Sequence, residues 1–343
     1  MRRVLLPHHI ADDPALLDGA LRAFGGVSMG TSWSVRLVDP GAGEFLPQWQ
    51  QGLQAQLDDV VAQMSHWEVD SNLGRFNRAP AGSWHVLPPA FFDVLSFAIS
   101  VAEQSGGAYD PCAGAIVNAW GFGPSGRHDE PGFVAPDANR IAALRAQRAA
   151  QRVELDPARR AARQPGGILL DLSAVAKGYG VDRLAHYLQS QGVRHFLVEV
   201  GGELRGAGVK PDGQPWWVAL EQVDDGALSL ARAPGEMVLA LHGLSVATSG
   251  DYRRYFVDGE QRYSHTIDPR SAAPIDNGLA SVTVLHPQCM AADAWSTALT
   301  VLGPERGMAL AERQGLAARF VLRDGACLSE RLTSHLRAML DDD

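Results

Sequence analysis

Apolar residues recur at helical spacing in several separate stretches. Leu53, Leu57, Val60, Val61 and Met64 mark one helix. Phe92, Leu95, Ile99 and Ala102 mark another from about Pro89 to Gln104, which Gly106-Gly107 stops. KGYGVDRLAHYLQSQ predicts a third helix, ended by Gly192, and two more are expected near 292–302 and 304–314, parted by Gly303-Pro304. Alternation at Val35 and Leu37 predicts a first strand after a glycine turn, and ILLDL and HFLVEV read as strands flanking the third helix. WWVALE, MVLALH, SVATS, YRRYFV, YSHTID, ASVTVL and ARFVL are short, turn-bounded runs rich in β-branched or aromatic residues. Runs of consecutive strands between helices predict an α+β fold, with mostly antiparallel sheets flanked by helices, not a doubly wound one. The dense patterning begins at GGVSMGTSWSVRLVD. Residues 1–24 therefore read as a variable lead-in, 25–325 as a single domain with a less regular insert at about 124–166, and 326–343 as a C-terminal tail. Within the insert, 138–163 is expected to hold a helix and a short strand at RVELD.

Composition narrows the function classes. Hydrophobic residues are 46% and charged residues 20% of 343, ordinary for a globular chain, and the formal net charge is −9. With no basic run or arginine stripe, a nucleic-acid partner is disfavoured, because phosphates reward clustered Lys and Arg. Cys112, Cys289 and Cys327 lie far apart with no CxxC spacing, which argues against a disulfide framework or structural zinc. The opening MRRVLLPHHI has an apolar run too short for a signal peptide, and no lipid-accepting Cys or 18-residue apolar stretch is found. No integral membrane segment and a cytoplasmic location are the expectations. GFGPSG at 121–126 fits GxGxxG, but Pro124 interrupts it and no amphipathic helix starts there.

Three segments carry candidate chemistry. In MAADAWSTAL, Asp293 and Thr297 are four residues apart, so a mostly apolar helix directs a carboxylate and a hydroxyl to one face. Either Asp293 caps the helix and Thr297 bonds back one turn, or the two form half of a hard-cation site that substrate phosphates and water complete. In GILLDLSAVAKGYGVD, Asp171 ends an apolar run and Lys177 sits at the start of a helix, the wrong end for a cation by dipole logic. An Asp171–Lys177 ion pair or an anionic ligand would each answer that placement. In YSHTIDPRSAAP, His265 and Ile267 share one face of a predicted strand; His265 is structural, or handles a proton beside a phosphate site.

Together with MGTSW at 29–33, MSHWEVDSNLGRFN at 64–77, GGAYDPCAG at 106–114, NAWGFG at 118–123, GGE at 201–203 and ATSGDYRRYF at 247–256, these segments resemble the ApbE-type FAD:protein FMN transferases, in that family's order, over roughly residues 27–322. The resemblance implies an ApbE-like fold and a Mg2+-dependent transfer of the FMN half of FAD to a Thr or Ser hydroxyl of an acceptor protein, with AMP released. It implies metal ligation by Asp293, Thr297 and the main-chain oxygen of Ala174. It implies FAD contacts at Met29, Trp67, Ala108, Tyr109, Asp110, Asp171, Lys177 and Ile267, and a catalytic His265 with Asp171 as the second candidate. Arg75, Asn77, Gly201 and Gly202 are assigned to scaffolding. Two other outcomes within its reach are hydrolysis of FAD to FMN and AMP, and flavin binding without turnover. Cys112 stands where the family usually has Thr, and Ala272 where it has Gly; the secretion signal and anchor Cys of many relatives are missing from this chain.

Overall fold

The computed structural model describes residues 3–8, 19–39, 41, 46–223, 234–325 and 327–341. The lead-in residues 1, 2 and 9–18, and residues 326, 342 and 343 of the tail, lie outside that set.

In chain order, β1 (Arg3–Leu5), β2 (Leu21–Ser28) and β3 (Thr31–Val38) precede helices α1 (Leu46–Met64) and α2 (Asn72–Asn77). Next come β4 (Trp84–Val86), α3 (Pro89–Gln104), α4 (Gly114–Ala119), α5 (Ala138–Ala150), β5 (Glu154–Asp156) and β6 (Ala161–Arg163). The long helix α6 (Ser173–Ser190) leads to β7 (Phe196–Val200), β8 (Glu203–Ala207), β9 (Trp216–Ala219), β10 (Met237–Leu241) and β11 (Leu244–Gly250). Then follow β12 (Tyr255–Asp258), β13 (Gln261–Ser264), β14 (Ile267–Asp268), β15 (Ala273–Pro274), β16 (Leu279–His286), α7 (Cys289–Arg313), β17 (Ala317–Asp324), β18 (Cys327–Leu332) and α8 (Ser334–Arg337).

Eight strands form the main sheet in the order β18-β17-β16-β11-β8-β7-β3-β2, every neighbouring pair antiparallel. The order follows the chain, so helices and small sheets are excursions from one antiparallel progression. Strand β16 reads LASVTVLH because both faces are covered: Val282 and Val284 join the core under α3, α6 and α7, while Leu285 joins the opposite core with Leu5, Trp216, Met237 and Leu239. Val246 and Ala247 of β11 divide between the same two cores, as the two-residue strand period requires. The result is three layers: helices, the main sheet, and the small β1-β10-β9 sheet. Among the described residues no helix is long and apolar enough to cross a membrane.

Several local expectations change. ILLDL does not join a ladder; Leu169 makes only an isolated bridge to Ala113, because its neighbours Ile168, Leu170 and Leu172 are consumed by the helical core. YSHTID divides into β13 and β14 with His265 and Thr266 between them, so His265 and Ile267 do not share a strand. Only Trp216–Ala219 of WWVALE and Tyr255–Asp258 of the run from Tyr252 are extended. The two C-terminal helices form one run, Cys289–Arg313, broken at Gly303, whose φ of 80° only glycine adopts without strain, with Pro304 starting the next turn.

Candidate active site

The site gathers where the first turns of α6 and α7 meet the ends of β8 and β11. The two helices pass so closely that a Cβ on Gly178 would lie 2.4 Å from the Cys289 carbonyl oxygen and 2.8 Å from Asp293 Cβ. Glycine is required there, and the approach sets the geometry of everything around it.

Asp293 is 3% exposed and does not cap its own helix. Asp182 of α6 takes that part: its Oδ1 accepts from Cys289 N–H at 3.1 Å and its Oδ2 from Met290 N–H at 2.9 Å. Asp293 is left to reach across, where its Oδ2 accepts from the Gly178 N–H at 2.9 Å. In a regular helix that amide returns to the Ala174 carbonyl, and Ala174 departs from helical dihedrals (φ −94°, ψ 20°). Burial raises the Asp293 carboxyl, with Lys177 and the Gly178 amide pulling the other way. Thr297 Oγ1 lies 2.9 Å from Ser249 Oγ of β11, which lies 2.7 Å from Ser296 Oγ. A carboxylate, a hydroxyl and a main-chain carbonyl are all hard oxygen donors, the kind Mg2+ takes when phosphates and water complete its shell. Among the described residues no group of three or more His, Cys, Asp or Glu is placed to hold a metal.

Lys177 does not pair with Asp171. Its ammonium meets Glu203 Oε1 at the start of β8, and Glu203 is 2% exposed. Burial alone would lower the Lys177 pKa, but Glu203 and then Asp293 reverse this and raise it. Burial likewise raises Glu203, against the pull of Lys177. Glu203 follows Gly201 and Gly202, whose φ values of 62° and 101° let the β7–β8 turn pass under Thr31 and Arg253. Arg253 donates to the Gly201 carbonyl and pairs with Glu221.

Asp171 is held separately. Its Oδ1 accepts from the Ser173 N–H at 2.8 Å and lies 3.4 Å from His66 Nδ1. Asp110 Oδ1 accepts from the Cys112 N–H at 2.9 Å, and its Oδ2 pairs with Arg148 of α5. Tyr109 is 4% exposed with no hydrogen-bond partner for its hydroxyl among the described residues. Burial holds that phenol well above its usual range, reinforced by Asp293, Asp171 and Asp110 in turn. Ala108 is buried beside it. Trp67 is instead 46% exposed, its ring beside His66 with the Arg127 guanidinium 6.0 Å away. No ring contact joins Trp67 to Tyr109 among the described residues. Met29 (φ 51°) packs against both helix-side cores.

His265 follows β13 and is half-buried. Its Nδ1 lies 3.0 Å from the Arg254 carbonyl oxygen, which only an Nδ1–H can satisfy, so Nε2 carries the lone pair. Burial pushes its pKa down to about 4, against the Arg254 carbonyl and helped by Arg254, Lys177 and Arg253. Ile267 packs with Ile116, Trp120, Leu144 and Ala272, and the Phe256–Tyr263 stack, 5.0 Å between centroids, supports this wall.

Glu203, Asp182, Ser249, His66 and Arg148 belong to this arrangement and carry no role in the sequence reading. For Glu203 the signal was present: a carboxylate inside VGGEL, between apolar neighbours, needs a buried partner.

Comparison with known proteins agrees with this architecture. The ApbE family profile matches residues 29–320. The FAD:protein FMN transferase of Vibrio cholerae is 36% identical over 318 residues, 92% of this chain and 91% of that protein. That of Klebsiella pneumoniae is 33% identical over 335 residues, 96% and 92% of the two. The crystal structure of the Pseudomonas stutzeri flavinyl transferase ApbE in its apo form superposes with a TM-score of 0.83 at 37% identity, covering 94% of this chain and 97% of that one. The flavin transferase ApbE from Vibrio cholerae gives a TM-score of 0.83 at 34% identity, covering 94% and 99%. With fold, motif order and sequence agreeing over nearly the whole length, this chain belongs to the ApbE family.

Proposed function

We propose that this enzyme transfers the FMN half of FAD to a Thr or Ser hydroxyl of an acceptor protein, forming a phosphoester and releasing AMP, with Mg2+ required. The observation that carries this reading is the joint between α6 and α7: a buried carboxylate and a hydroxyl one turn apart, with Lys177 beside them. Asp293, Thr297 and the Ala174 carbonyl would hold the cation. When bound, Mg2+ neutralises charge building on the scissile diphosphate.

The chain's own groups supply the rest. Lys177 and Arg253 offset the phosphate charge. Tyr109, Ala108, Asp110, Met29, Trp67, Asp171 and Ile267 are the proposed nucleotide contacts. His265 is uncharged at neutral pH and offers Nε2, so it takes the acceptor hydroxyl's proton as that oxygen attacks the FMN-side phosphorus. The bond from that phosphorus to the bridging oxygen breaks, and AMP leaves. Asp171 ranks second as base because Ser173 and His66 already engage its Oδ1.

The test is incubation with FAD, Mg2+ and a domain bearing a candidate Thr. Acid-stable flavin on that domain, with equimolar AMP, is expected. FMN and AMP without labelling would mean hydrolysis, and intact, tightly held FAD would mean storage. Chelation with EDTA should stop turnover.

A further inference from the structure

Glu203 has a feature that its pairing with Lys177 leaves unexplained. Oε1 serves the ammonium, but Oε2 is buried and has no hydrogen-bond partner among the described residues. Burying such an oxygen without a donor is costly, the more so for a charged group, and native structures seldom do it. A carboxylate needed only to neutralise Lys177 gains nothing from burying its second oxygen. Asp293 and Arg253 complete the charged surroundings, and neither is hydrogen-bonded to Oε2. Tyr109 Oη is another buried polar atom without a hydrogen-bond partner among the described residues. Paired with the Lys177 ammonium as a carboxylate, Glu203 only accepts, so the group its Oε2 lacks is a donor.

We propose that Glu203 Oε2 accepts a hydrogen bond from a hydroxyl of the bound substrate, making Glu203 a specificity-determining residue of the transfer site. The inference rests on the proposed function above. Hydroxyls near a phosphate-side lysine come from two sources, the sugar and ribityl chains of the nucleotide or the acceptor Thr or Ser. Their chemistry is the same.

A double-mutant cycle separates this role from one exerted through Lys177. FAD dissociation constants, from flavin fluorescence, and acceptor KM and kcat are measured for wild type, Glu203→Gln, Lys177→Met and the double variant. Glutamine keeps the shape and an oxygen for Lys177 but can place an N–H donor at the Oε2 position. A nucleotide hydroxyl predicts FAD binding about tenfold weaker on Glu203→Gln, in both the wild-type and Lys177→Met backgrounds. An acceptor hydroxyl predicts unchanged FAD affinity and a tenfold loss in kcat/KM for the acceptor, again in both backgrounds. An effect that falls below twofold once Lys177 is Met overturns the proposal and leaves Glu203 as a partner of Lys177 alone. If the glutamine variants do not fold, Glu203→Asp takes their place in both backgrounds: it keeps the charge but withdraws the carboxylate, so a tenfold loss that persists with Lys177→Met supports the contact, and wild-type constants or a loss that vanishes with Lys177→Met overturn it. Wild-type protein that neither binds FAD nor labels an acceptor would instead sink the underlying functional reading.

Discussion

The two sides of the site are built by different means. On the α6–α7 side, charged and polar groups are buried and held by helix geometry: Gly178 permits the approach, Asp182 caps α7, and Asp293 is fixed by a backbone amide. On the His265 side, short strands and turns are held by aromatic packing of Phe122, Phe256, Tyr263 and Trp120, with a single carbonyl setting the histidine tautomer. The first side is rigid because two long helices must cross with no room for a methyl group. The second is a wall of small pieces, each positioned by its neighbours. On the proposed reading, charge stabilisation belongs to the rigid side and proton transfer to the wall.

That division can be broken or sharpened experimentally. The largest effect is expected for Asp293→Ala: loss of the carboxylate proposed to hold the cation should lower FMN transfer by about a thousandfold or more. Near-normal turnover in a folded variant, measured by flavin labelling, would remove Asp293 from the cation site. His265→Ala should lower the transfer rate by about a hundredfold while FAD affinity changes less than about threefold. An equal loss of binding and rate would make the wall a binding surface and not a proton-handling one.

Gly178→Ala tests rigidity directly. With a new methyl 2.4 Å from the Cys289 carbonyl, overpacking of about 1–3 kcal/mol should lower the melting temperature by several degrees, and activity with it. An unchanged melting temperature would show that the helices can separate freely. In pH profiles, His265 must be deprotonated to act as base, so rate should fall as pH drops through its pKa. With that pKa near 4, activity should be flat from about pH 6 upward, not half-lost near the ordinary histidine value of about 6.5. A single inflection near 6.5 would assign the limb to another group. The smallest effect is expected for Ala272→Gly. Ala272 sits at φ 55°, which glycine would relax, but its fully buried methyl helps fill the wall. The two terms offset, and calorimetry should find a change within about 1 kcal/mol.

Helix-scale features were legible in the sequence, and α3 spans the expected Pro89–Gln104. The α+β class followed from runs of strands between helices. The readings that changed concern short segments. ILLDL has strand composition, yet its side chains are spent on the helical core, and YSHTID is cut in two at His265. A five- or six-residue apolar run does not say which neighbour will claim it.

The sequence alone determined the periodicities, the order of the motifs and the residue types available for chemistry, because these depend on local spacing. It also marked Asp293 and Thr297 as sharing a face, since a helix repeats every 3.6 residues. Only the tertiary structure decided which charges meet. Asp182 rather than Asp293 caps α7, Glu203 rather than Asp171 takes Lys177, and Arg148 of the insert takes Asp110. Those pairings join positions tens of residues apart, and local spacing carries no information about them. They are fixed when the helices and strands pack, because a buried charge needs a partner within reach and packing determines which one that is.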